Sequence, residues 1–146
     1  MNYQDLKNEI VNDPLGLGYS TMTDAEVASA LNNTPANQVV QTFANAKTVL
    51  ATLGANAGAT FLDALEAASA SNSAVKWALM FIKSVDGIDV GNTETRNMLD
   101  QLAAANVLDP ASVATIKALA EKTVSRAEYL GLGFVKPGDV EYARTI

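Results

Sequence analysis

Three places in the chain bring together residue types that could do chemistry. Leu15-Gly16-Leu17-Gly18-Tyr19 and its echo Leu130-Gly131-Leu132-Gly133-Phe134 have glycines spaced as in loops that cradle phosphate. Asp86, Asp89 and Asn92, with Gly87 and Gly91 between them and Glu94 beyond, offer oxygen ligands on one short loop, as a calcium site would. Asp63 and Glu66 stand three apart, which on a helix puts two carboxylates on one face, as an acid–base pair requires.

Each falls short of its chemistry. A dinucleotide loop needs a third glycine where Thr21 stands, and a strand before it where Tyr3, Leu6 and Ile10 mark a helix; no Gly-Lys-Ser/Thr occurs anywhere. The acidic loop lacks the D-x-[DN]-x-[DN]-G spacing of a calcium site and reads as a solvated turn. Asp63 and Glu66 have no lysine or histidine in register and read as a solvated helix face. No metal and no cofactor is therefore expected. Packing is the preferred reading of the repeated stretch: its glycines permit backbone angles closed to other residues, its leucines bury, and its aromatics plug the cluster. The two copies are expected to meet, fixing the terminal regions to each other or to a neighbouring subunit.

Composition narrows the function further. Of 146 residues none is histidine or cysteine, which removes the commonest general base, thiolate nucleophiles, thiolate metal sites and disulfides. Net charge is −6 and the ten basic residues are scattered, so binding to a nucleic-acid backbone is not expected; a cationic protein partner fits the charge. The N-terminus carries no apolar signal core, and the longest apolar run, Trp77 to Ile82, is far below the roughly 20 residues a bilayer span requires. The chain reads as soluble, made in a cytoplasm, with no membrane partner.

The elements that would position these residues are helical throughout. Spacings of three and four predict helices at 2–12, 23–31, 36–53, 59–69, 73–85 and 93–106, then from Pro110, from Ser125 to Leu130 and from about Asp139. Thr23-Asp24-Ala25-Glu26 and Ser125-Arg126-Ala127-Glu128 are capping boxes, Asp109-Pro110 is a cap followed by a proline in the first turn, Thr93 is a candidate cap, and Gly54 a C-terminal cap. The 73–85 segment is apolar nearly all round and is expected to be the most buried helix; Trp77 in it is a core anchor, or a binding hot spot if exposed. The expectation is one all-α domain over 1–146, a compact multi-helix bundle of about seven to eight helices, some short.

The motifs "DLKNEIVNDPLGLGY", "MTDAEVASALN", "MLDQLAAANVLDPASVATIKALA", "SRAEYLGLG" and "GDVEYAR", in that order, resemble a group of small tailed-bacteriophage proteins. Those proteins open with an E-L-K-x-E-I-like helix and D-P-x-G-x-G-Y, and close with S-R-A-E-x-L-G and D-V-x-x-A-R. The resemblance covers both ends and 93–144; the middle matches only in being apolar and helical. It implies a phage protein of unassigned role, often encoded among virion structural genes, with no catalytic residue carried over. The expectation is a non-enzymatic virion component of head, neck or tail, made in the host cytoplasm, that contacts other phage structural proteins or itself as a homo-oligomer. The alternative is a small acidic inhibitor of a host or defence protein. The contact surfaces are expected around Tyr19 and Phe134 and from Arg126 through Tyr129 to Tyr142.

Overall fold

Helices start where the sequence supplies side-chain acceptors for their orphan N–H groups. Thr23 Oγ1 accepts from the Glu26 N–H, and the Glu26 carboxylate accepts in return from the Thr23 N–H at 2.7 Å. Asp109 accepts from the Ser112 N–H, with Pro110 in the first turn. Asn92, not Thr93, caps the helix after the acidic loop, accepting from the Glu94 and Thr95 N–H groups.

The computed structural model describes residues 1–146. It contains α1 (Tyr3–Asn12), a 3-10 turn (Tyr19–Thr21), α2 (Asp24–Asn33), β1 (Pro35–Val39), β2 (Phe43–Ala44), α3 (Ala46–Leu53), α4 (Ala55–Ser69) and α5 (Ser73–Lys83). There follow β3 (Ile88–Asp89), α6 (Thr93–Ala104), α7 (Pro110–Ala118), β4 (Glu121–Ser125), α8 (Arg126–Tyr129) and α9 (Pro137–Thr145). Helix makes up 62% of the chain, so it is mostly α, but the all-α expectation is corrected by two strand pairs.

β1 pairs with β4, and β2 pairs antiparallel with β3. The expected helix over 36–53 is really β1, β2 and α3. Val39, Val40, Thr42 and Phe43 are β-branched or aromatic and favour extended backbone. Helix begins only after Asn45, which accepts from the Thr48 N–H at 3.0 Å.

The chain divides into two compact units, Met1–Gln38 with Thr123–Ile146, and Val39–Lys122. In the first, α1 packs on α9, α2 on α8, and α2 on α9, around Leu6, Tyr19, Val27, Leu31, Leu132 and Val140. In the second, α3 packs on α4 and α7, and α4 on α5, around Val49, Phe61, Leu65, Leu79, Leu99 and Ile116.

The repeated stretch forms the same loop twice in the first unit. The Gly16 N–H donates to the Asp13 carbonyl at 2.9 Å, and the Gly131 N–H donates to the Glu128 carbonyl at 2.9 Å. Gly18 and Gly133 then take φ of +84° and +70°, the left-handed region that only glycine enters freely. A Cβ at Gly133 would meet nothing within 4 Å, so the glycine serves backbone angle, not close approach. The first copy joins α1 to α2 and the second joins α8 to α9, and each first helix packs on the other pair's second. Leu17, Tyr19, Leu130 and Leu132 join one apolar cluster, while Leu15 and Phe134 stay exposed, against the expectation that all would bury.

Candidate interaction surface

Arg126 was expected at a protein-contact surface. It lies instead largely buried in the first unit, where its Nε donates to Glu9 Oε1 at 2.8 Å and its Nη2 to Glu9 Oε2 at 2.7 Å. Such a two-pronged pair is the strongest geometry open to arginine and carboxylate. The hydrogen bond to Glu9 pushes the guanidinium's affinity for its proton upward. Glu9 is the only fully buried charged residue, and sequence reasoning missed it, because on paper it is one more acidic residue of an exposed-looking helix.

Tyr19 is fully buried beside this pair and presents no surface to a partner, which corrects its expected role in contacts. Its hydroxyl meets no acceptor in hydrogen-bonding geometry, although Glu9 is close enough to act on it. Burial first, then the Glu9 charge, push its pKa up to about 12 against the opposing pull of Arg126. A phenol so held keeps its proton at neutral pH. Both carboxylate oxygens of Glu9 are taken by the guanidinium.

The other expected contact residues lie at or near the surface. Tyr129 is half-exposed, with the Arg126 guanidinium 5.4 Å from its ring centroid, a cation–π contact. Tyr142 is half-exposed and packs edge-on against Tyr3, centroids 4.8 Å apart. Phe134 is 75% exposed at the rim of a groove of about 570 Å³ lined by Ala25, Ala28, Ser29, Asn32 and Val135. Asn32 holds that rim, donating to the Val135 carbonyl at 2.7 Å and accepting from its N–H at 3.0 Å.

The acidic loop is spent on the backbone. Asp89 Oδ1 accepts from the Thr42 and Gly91 N–H groups, both at 2.9 Å, and Asn92 caps α6. No group of three or more His, Cys, Asp or Glu stands close enough to hold a metal ion. Glu66 pairs with Lys83 at 2.8 Å, a partner 17 residues on that helical register could not reveal.

The largest departure is α5. Val75, Ala78, Leu79 and Ile82 are buried, as an inner stripe at spacings of three and four. Trp77, Met80 and Phe81 repeat that spacing two residues on, about 200° around the helix, and so point away from the core. They are 57%, 54% and 58% exposed, and Val85 just beyond is 92% exposed. The most apolar helix thus carries more buried residues than any other, as expected, yet its outer face is apolar and exposed as well. Met80 and Phe81 were not singled out from the sequence; the signal was two stripes of equal spacing, which one core cannot serve at once.

No helix is long and apolar enough to cross a membrane. Compared with protein-family models, curated proteins and solved structures, the chain matches none.

Proposed function

We propose that this protein is a non-enzymatic virion component of a tailed phage, an accessory of head, neck or tail that works by protein–protein contact. The observation that carries the reading is the outer stripe of α5, where Trp77 and Phe81 offer the aromatic anchors typical of binding hot spots. The resemblance of both chain ends to tailed-phage proteins supplies the virion setting. In this reading the helices form a compact bundle whose inner stripes close the core while outer stripes meet neighbours. Mass spectrometry of purified particles of the encoding phage tests it: the chain is expected at fixed stoichiometry, and its absence from the particle overturns the reading.

The net charge of −6 favours a second reading, an acidic inhibitor steered to a cationic host protein. That reading requires one stoichiometric host partner in a pull-down and a chain absent from particles.

A further inference from the structure

We infer that α5 is a two-fold contact between two copies of this chain. The inference rests on the reading above only in taking the protein to work through protein contacts. The unpaired stripe is self-complementary. In an antiparallel pairing centred between Met80 and Phe81, Met80 of each copy lies opposite Phe81 of the other, a favourable sulfur–aromatic contact. Trp77 lies opposite Ser84, the bulkiest side chain against a small one, and the symmetry makes every contact twice.

The charges agree with that placement. Lys76 has its ammonium 5.9 Å from the Trp77 ring centroid and makes no ion pair with a carboxylate. Antiparallel pairing carries Lys76 of the second copy toward the end of α5 where the exposed Glu66 already holds Lys83. Glu66 then stands between two lysines, one from each copy, and gives the second copy's Lys76 an opposite charge at the rim of the apolar patch.

The area is sufficient for a weak dimer. Trp77, Met80, Phe81 and Val85 leave roughly 500 Å² accessible, in the upper part of the range for the largest apolar patch of a monomer. Two copies bury roughly 1,000 Å² in all, the lower bound for a specific interface and the size of weak, transient ones.

Sedimentation equilibrium on the full chain tests the inference. The wild type is expected to pass from monomer to dimer across the micromolar range. Trp77→Ala and Phe81→Ala should each weaken the dimer by about 1,000-fold, about 30-fold for each of the two copies of the side chain that the symmetry removes. Both sites are exposed, so the variants keep their cores; Phe134→Ala, on the other unit, should leave the dimer unchanged. Because the native chain has no cysteine, Met80→Cys can form only an intermolecular disulfide, and rapid oxidation to a covalent dimer is expected.

A chain that stays monomeric to millimolar concentration overturns the inference. So does a dimer indifferent to Trp77→Ala, or a monomer that sediments with zwitterionic phospholipid vesicles through Trp77. A monomer still found in particles would sink the dimer and leave the virion reading standing. A Trp77-dependent dimer missing from particles would do the reverse.

Discussion

Removing one partner of the Glu9–Arg126 pair should cost more than any other single charge removal in this protein. Arg126→Met keeps most of the aliphatic stem and discards the guanidinium, so packing is largely preserved while the Glu9 carboxylate, its side chain only 4% exposed, loses both donors. Leaving one charge of a buried pair uncompensated costs about 3–5 kcal/mol, a large share of the roughly 5–15 kcal/mol that holds a domain folded. Glu9→Met strands the guanidinium and should cost a similar amount. The double variant Glu9→Met/Arg126→Met replaces both charges by apolar chains of like volume and should return to within about 1–2 kcal/mol of the wild type. Urea unfolding measures all four proteins. All four tyrosines lie in the first unit and the single tryptophan in the second, so near-ultraviolet circular dichroism of tyrosine follows the unit that carries the pair. With a urea m-value of about 2 kcal/mol per molar, each single variant should lower the midpoint by about 2 M. Single variants costing less than about 1 kcal/mol, or a double variant whose loss equals the sum of the two, would refute the reasoning. The pair would then behave as a solvent-screened one, whatever its geometry.

Two further outcomes follow from the same unit. Tyr19→Phe removes a buried hydroxyl that lacks an acceptor, so thermal unfolding should show stability unchanged or raised by about 1 kcal/mol, and a loss above that would mean the hydroxyl has a partner. Asp13 titrates in the opposite sense: desolvation pushes its carboxyl up, but the N–H groups of Gly18, Leu17, Tyr19 and Gly16 outweigh it and hold the pKa below 3.8. A depressed folded pKa gives stability that is complete above the unfolded value and lost as pH falls through the folded one. Asp13→Asn should therefore lower the melting temperature at pH 7, and its deficit against the wild type should shrink below pH 3.8; parallel melting curves across that range would contradict the assignment.

Local signals were legible from the sequence because their physics is local. The Thr23–Glu26 box, the Asp109-Pro110 start and the duplicated glycine loop all depend on residues within five positions of each other. The apolar periods of α1, α4 and α6 likewise located their inner faces. What the sequence hid depends on distant partners. β1 lies about 85 residues from β4, and Val39-Val40 fits an apolar stripe of either period until that partner is known. Glu9 and Arg126 are 117 residues apart. Tyr19 and Phe134 follow the same glycine-spaced leucine pair, yet Tyr19 opens a 3-10 turn and is fully buried while Phe134 is exposed. The difference lies in the preceding helix: α1 has ten residues and packs over the first loop, whereas α8 has four. Identical motifs fix the turn, and the length of the neighbouring element decides what the aromatic touches.

The division of the chain into a continuous unit and a split one sets an order of events during synthesis. Residues 39–122 emerge from the ribosome as an uninterrupted stretch, so collapse of that unit can begin before residue 123 is made. The helices before residue 39 must wait, since Arg126, Leu132 and Val140 are translated only after the whole of residues 39–122. Until then Leu6, Tyr19 and Val27 stay without their cover while the intervening unit is made.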